Sequence, residues 1–225
     1  MIDFNELVGN YLSRTSSPRQ VGRYYPSQIG SCLRKVWYSY LYPVETSAEL
    51  TRVFELGNML HEFIVRVIQS DKNPTVELLE SEFPFRCEID DFTISGRIDD
   101  LVLVKADSKK VLVEVKSTSN SDYVTEPHAS HAMQLQLYLH FFGIDDGLVV
   151  YIDKRNMQCK NFAIRYDVEQ TLAAFERFRT LHGHLTHKSV PEAEARSSEK
   201  TIWQCTKCEY RDRCYQDTPS SGSLP

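Results

Sequence analysis

Two sets of side chains in this sequence have the chemistry to hold metal. Cys205, Cys208 and Cys214 stand as C-x2-C-x5-C, and Cys32 stands alone far upstream in PSQIGSCLRKVWY. Spaced this way, four thiolates read as one cluster split between distant parts of the chain. Without an export pattern, clustered cysteines bind metal more often than they pair as disulfides. Four thiolates suit Zn²⁺ and iron–sulfur clusters alike, so spacing alone leaves the metal open. Cys87 and Cys159 lie singly in strand-like runs and are expected to stay unligated, each packing like a small hydrophobe.

The second set is acidic. The segment SGRIDDLVLVKADSKKVLVEVKST reads as a hairpin turning near Asp107 and Ser108. Side chains two apart share a strand face, so Glu114 and Lys116 point the same way. A turn centred between Asp107 and Ser108 sets Leu101 opposite Glu114 and Asp99 opposite Lys116. Asp99 and Glu114 are then diagonal neighbours, about 7–8 Å apart at Cβ. Two carboxylates held together are unfavourable unless a cation lies between them. Mg²⁺ or Mn²⁺ takes oxygen ligands, binds phosphate oxygens and lowers the pKa of a bound water. Lys116 is placed to steer that water or to neutralise transition-state charge. E-x-K alone is short and common; it gains meaning by following G-x-x-D at this distance.

Two helical pairs accompany these acids. Gly57 and His61 are i,i+4 beside an apolar stripe, so His61 borders the core. A lone histidine there is more often structural; as a ligand it shifts preference from Mg²⁺ towards Mn²⁺. Gln134 and Tyr138 are also i,i+4, on a polar face beside the stripe Met133, Leu137 and Phe141. The ordinary reading is a solvent-side pair. In the functional reading Gln134 orients the water or the lysine, and Tyr138 touches DNA.

The elements that must position these residues follow from periodicity. A short helix and the polar link SRTSSPRQ fill residues 1–20. A helix capped by Ser27 carries Cys32, Trp37 and Tyr40. A second spans 49–69, with Leu56, Leu60, Ile64, Val67 and Ile68 at a 3.6 period. Strands follow at 76–88, 91–104, 111–117 and 147–153, interrupted by a helix at 129–142. A strand at 158–166 pairs with 147–153 across KRN. A helix over 167–187 starts at Asp167 and turns Leu172, Phe175 and Leu181 inward. The organisation expected is an N-terminal helix and link (1–23), a helical region with the first cysteine (24–75), a central α/β core (76–187), a C-terminal cysteine region beginning with a polar linker (188–216) and a disordered tail (217–225).

Composition narrows the partners. With 41% hydrophobic and 11% aromatic residues the chain has material for a sizeable core. No stretch approaches the roughly 18 apolar residues of a membrane helix. The segment MIDFNELVGNYLSR lacks a signal-peptide pattern, so a cytoplasmic location is expected. A net charge of −5 argues against an all-over nucleic-acid binder but not against a local basic groove. Candidate groove residues are Arg23, Arg34, Lys35, Arg52, Lys154 and Arg155.

In order, the chain shows Cys32, G57-N-M-L-H61, G96-R-I-D99, E114-V-K116, Q134-L-Q-L-Y138 and C205-x2-C208-x5-C214. This resembles the RecB-like nucleases of the PD-(D/E)xK superfamily that carry an iron–sulfur cluster, and most of all the CRISPR-associated Cas-four family. The resemblance covers about residues 24–216. It departs at Leu33, where the family often has proline after the first cysteine. What it implies is a mixed sheet flanked by helices, the restriction-endonuclease-like core, with an iron–sulfur-clamped helical region built from both ends. His61, Asp99, Glu114 and the Val115 carbonyl would hold Mn²⁺ or Mg²⁺, with Lys116 catalytic and Gln134 and Tyr138 in the last nuclease motif. Cys32, Cys205, Cys208 and Cys214 would hold [4Fe–4S], with Arg34, Lys35, Lys154 and Arg155 as DNA contacts. The activity implied is cleavage of single-stranded DNA, as an exonuclease and sometimes an endonuclease. It would trim prespacers and select PAM-flanked ones beside CRISPR integrase subunits. A recombination or repair exonuclease outside CRISPR, for example a viral one, and a non-catalytic DNA-binding subunit are the alternatives.

Overall fold

The structure, a computed structural model, describes residues 1–13, 18–199 and 201–217. In chain order the elements are α1 (Phe4–Leu12), β1 (Arg23–Tyr24), α2 (Pro26–Ile29), α3 (Leu33–Leu41), α4 (Ala48–Ile68), β2 (Val76–Ile89), β3 (Phe92–Val104), β4 (Lys109–Thr118), α5 (Ala129–Phe142), β5 (Asp146–Asp153), β6 (Cys159–Arg165), α6 (Val168–Thr186), α7 (Trp203–Thr206) and α8 (Arg211–Gln216). The expected tail from 218 onward and part of the first link lie outside the described residues.

The six strands form one mixed sheet in the order β1-β3-β4-β5-β6, with β2 also on β3. The β2–β3, β3–β4 and β5–β6 pairs are antiparallel. β4 and β5 run parallel, joined by α5 as the crossover, and β1 runs parallel to β3. β2 follows β3 along its whole length. The other edge of β3 is shared: β4 pairs with Asp100–Val104 and β1 with Thr93–Ile94. Between them, among the described residues, the edge from Ser95 to Asp99 has no strand partner. A gap is thereby left in the sheet beside Asp99.

Helices cover the sheet. α5 brings Leu135 and Leu139 onto Leu112, Val149 and Tyr151. A second apolar centre joins Tyr24, Trp37, Tyr38 and Ile94 to Phe175, Phe178 and Leu181 of α6. α4 lies against β2 and β4 with Leu60 buried, while Leu56 and Val67 stay exposed. A third cluster, Val102, Val113 and Val150, packs with Ile68 and Val76.

Several boundaries differ from the sequence reading. The helix expected from Ser27 is two helices. α2 begins at Pro26, placed at its first turn, and the chain breaks over Gly30–Cys32 before α3. At that break the chain runs close against α5: a Cβ on Gly30 would collide with Ser130. The β3–β4 loop spans 105–108, so Leu101 pairs with Leu112 and not with Glu114. The register differs by two residues, which leaves every side chain on its expected face. Ser108 takes the left-handed conformation that closes the loop. Leu172 points outward at 58% exposure; Thr171, Ala174 and Phe175 supply the inward face there. The polar run after α6 is anchored: Glu194 takes two hydrogen bonds from Arg177 and one from the Leu33 N–H. Cys159 is exposed and does not pack as a hydrophobe.

Candidate active site

The β4 strand delivers Glu114 and Lys116 to the face that α5 covers, as period-two alternation requires. Glu114 is fully buried. Its Oε1 is ion-paired to Lys116 Nζ and accepts a hydrogen bond from Gln134 Nε2 at 2.7 Å. The same Gln134 nitrogen donates to the Tyr138 hydroxyl at 3.0 Å. The i,i+4 pair on α5 therefore faces the strand, not solvent; both residues are buried, contrary to the polar-face reading. Asp99, at the edge of the sheet gap, accepts the Val115 N–H at 2.8 Å. A side chain thus takes over where the β3–β4 ladder stops.

Across from these, α4 contributes His61. Its Nε2 lies 3.1 Å from Asp100 Oδ2, and its Nδ1 lies 3.6 Å from Glu82 Oε1. Ligand atoms of His61, Glu82 and Asp99 all fall within 4.8 Å of one another. Glu82 is a non-glycine residue at φ 52° inside β2. A left-handed residue costs about 1–2 kcal/mol, and such strain gathers at functional sites. Arg97 holds the other Glu82 oxygen in an ion pair.

The electrostatics fit a cation. Burial, then the Asp99 charge, pushes the Glu114 carboxyl up to about 8, against the pull of Lys116 and His61. Burial also raises Asp99, opposed by Lys116, His61 and the Val115 N–H. For His61, burial lowers the pKa, but the Asp100 hydrogen bond and the Asp99, Asp100 and Glu82 charges outweigh it and raise the ring. Glu114 Oε2 and Asp100 Oδ1 are buried with no hydrogen-bond partner among the described residues. Orphaned buried carboxylate oxygens are rare and are commonly met by an ion.

Lys116 is flanked by a second pair. Tyr151 OH accepts the His128 N–H at 2.9 Å and lies 2.7 Å from His131 Nδ1. Burial, then the Lys116 and His128 charges, lowers His131 to about 3, so it stays neutral beside the lysine.

The four expected cysteines share one pocket. Cys32, Cys205, Cys208 and Cys214 line it with Arg34, Lys35, Arg196 and Arg211. The Cys32 N–H donates to Gln204 Oε1 at 3.0 Å, and Arg34 Nη1 lies 3.8 Å from Cys214 Sγ. Tyr210 stacks on Tyr38, whose hydroxyl donates to Asp217. Basic side chains around thiols suit an anionic thiolate cluster.

The structure brings His61, Asp99, Glu114, Lys116, Gln134 and Tyr138 together. Sequence reasoning missed Glu82 and Asp100. Asp100 adjoins Asp99 in GRIDD, and only its burial reveals its part; Glu82 belongs to no motif. The proposed DNA contacts are dispersed. Arg34 is buried, with Nε donating to Pro191 O, and Lys35 pairs with Glu209, both in the cysteine pocket. Arg155 is held by Asp153 and Asn120 at the end of β5, next to Lys154, whose N–H bonds Thr118 O.

The profile of the PD-(D/E)XK nuclease superfamily matches residues 56–215 of the chain. A curated relative, the CRISPR-associated exonuclease Cas4 of Saccharolobus solfataricus (strain ATCC 35092 / DSM 1617 / JCM 11322 / P2), is 30% identical over 132 residues. That alignment covers 57% of this chain and 62% of the relative, under two thirds of its length. Among solved structures, that of SSO0001 superposes with a TM-score of 0.62 at 20% identity, covering 98% of each chain. The alkaline exonuclease LHK-Exo from Laribacter hongkongensis superposes at 0.53 and 16% identity, over 75% of this chain and 90% of that one. At these identities the superpositions speak for the fold.

Proposed function

We propose a function from one premise: this chain belongs to the PD-(D/E)XK nuclease superfamily. It is a nuclease of that type, and the finer reading is a divalent-metal-dependent deoxyribonuclease that cuts single-stranded DNA as an exonuclease. The observation that carries this is the meeting of His61, Asp99, Glu114 and Lys116 at the gap in the sheet, with Glu82 beside them. His61, Asp99, Glu114 and the Val115 carbonyl would hold Mn²⁺ or Mg²⁺, an imidazole in the set favouring Mn²⁺. Bound there, the ion would supply charge for the phosphate oxygens and a more acidic water.

The chain's own residues do the rest. Lys116, kept charged by Glu114 and Asp99 against the effect of burial, presents Nζ to the developing negative charge on the phosphate. Gln134 fixes Glu114 by its hydrogen bond and is itself fixed by Tyr138. Neutral His131 and Tyr151 bound the lysine without adding a competing charge.

Cys32, Cys205, Cys208 and Cys214 would hold a [4Fe–4S] cluster, which ties the segment before α3 to α7 and α8. The similarity to a CRISPR-associated exonuclease supports prespacer trimming and PAM-dependent selection, alongside integrase subunits, as the setting. Among the described residues no helix is long and apolar enough to cross a membrane.

The test is Mn²⁺-dependent cleavage of end-labelled single-stranded DNA, with Glu114→Ala and Lys116→Ala as partners. Each variant is expected to lose at least about a hundredfold in rate while melting like the parent. A wild type that cuts no single-stranded DNA, or two variants that cut normally, would overturn the reading.

A further inference from the structure

A cleft of about 750 Å³ opens at the sheet gap and leads to the carboxylates. Its walls carry Arg23, Tyr25, Arg86 and Arg97, and its inner end carries Asp99, Gln134 and Tyr138. The three arginines come from three neighbouring strands. Arg23 of β1 donates from Nε to Ser95 Oγ of β3 at 3.0 Å, and Ser95 pairs with Arg86 of β2. Ser95, Arg97 and Asp99 alternate along β3 and so share one face, stepping about 6.7 Å at a time towards the acidic centre. Gly96 lies in the wall, where a Cβ would press on Pro26 and Phe85 at 3.2 and 3.1 Å. Arg97 is held at the mouth of the site by Glu82, the same side chain that reaches His61. The Arg23 guanidinium lies 5.7 Å from the centroid of the Tyr25 ring.

We propose that this cleft is the seat of the DNA single strand, with Arg97 and Arg23 taking consecutive phosphates and Tyr25 stacking a base. The assignment rests on the nuclease reading above and gives it a direction of approach. Cations in a row beside an aromatic face are how single strands are bound without sequence readout. A chain with net charge −5 has no general attraction for DNA, so the strand must be drawn locally. The row of arginines leads from β1 to Arg97, next to Asp99, and ends where a phosphate meets Lys116 and the carboxylates. The basic residues singled out from sequence line other surfaces, Arg23 excepted.

The experiment measures binding of a fluorescein-labelled oligo(dT) by anisotropy, with Ca²⁺ in place of Mn²⁺, over a range of salt. Arg23→Ala and Arg97→Ala are each expected to weaken binding about fivefold to tenfold and to lower the salt slope by about one. Tyr25→Ala is expected to weaken it about tenfold with the slope unchanged, and Tyr25→Phe to restore it. Lys109→Ala, at the start of β4 next to the hairpin turn, is the control and should bind like the parent, and melting curves check that each variant is folded. Wild-type affinity and slope in both arginine variants, a Tyr25→Phe as weak as Tyr25→Ala, or tighter binding to duplex than to single strand would each overturn the proposal. Failure of the nuclease reading looks different: the parent binds oligo(dT) with the expected variant pattern yet cuts nothing with Mn²⁺. Failure of the seat alone gives an active enzyme whose Arg23, Arg97 and Tyr25 variants bind and cut like the parent.

Discussion

Glu114 sits with no exposed surface between Asp99 and Lys116, and its carboxyl is pushed up to about 8. A carboxyl raised above its ordinary value near 4.5 takes up a proton more readily in the folded, metal-free protein than in the unfolded chain, and the Lys116 ion pair opposes this. Its contribution to stability is full below pH 4.5 and is lost as pH rises through 8. A cation binding there competes with a proton for the Glu114 carboxyl. Affinity for Mn²⁺ should therefore rise up to about tenfold per pH unit between pH 6 and 8. Titration calorimetry at three pH values checks this, and a flat profile would mean that Glu114 is already ionised. Glu82 offers a second test. Asparagine tolerates its left-handed backbone better than glutamate does but brings no charge. Glu82→Asn should gain about 0.5 kcal/mol in stability while losing about tenfold in Mn²⁺ affinity. The motif acids and the lysine were legible because their spacing is local to a hairpin. Asp100 and Glu82 were not, because only the pairing of β2 with β3 and the approach of α4 bring them in.

At the level of elements, α5 was readable to the residue, 129–142, because its stripe is continuous and Gly143 takes the left-handed turn that ends it. Pattern alone misjudged which side of α5 faces the sheet, since Gln134 and Tyr138 are polar residues that are buried through mutual hydrogen bonds. The break between α2 and α3 was unreadable for a different reason. The chain there runs against α5, with Gly30 meeting Ser130 a hundred positions away. Gly30→Ala should force α2 off α5 and cost about 1–3 kcal/mol, read as a lowered melting temperature. An unchanged melting curve would mean that the contact relaxes freely. The β3–β4 register was off by an even step, which kept Asp99, Glu114 and Lys116 on their expected faces although the loop itself was misplaced.

For the molecule as a whole, the thiol pocket joins parts of the chain that lie far apart in sequence. Cys32 precedes α3, and the other three thiols come from α7, α8 and the turn between them. Cys205→Ala should abolish iron incorporation and lower the unfolding free energy by at least about 2 kcal/mol, since a structural metal site adds its binding energy to folding. Anaerobic iron analysis with thermal melting decides it; full iron content in the variant would exclude Cys205 as a ligand. The thiol set was legible in the sequence, whereas its basic surroundings needed the fold, which sets Arg34 and Arg196 beside Cys214.

Synthesis runs in one direction, and this gives the pocket a place in time. When α3 leaves the ribosome, the groups that will cover Cys32, Tyr38 and Arg34 have not yet been translated. The sheet and its acidic centre emerge before α7 and α8, which arrive last among these elements. Closure of the pocket is thus a late step in maturation. A product that stopped at α6 would leave Tyr38 without Tyr210 and the Cys32 N–H without Gln204 while already carrying Asp99, Glu114 and Lys116.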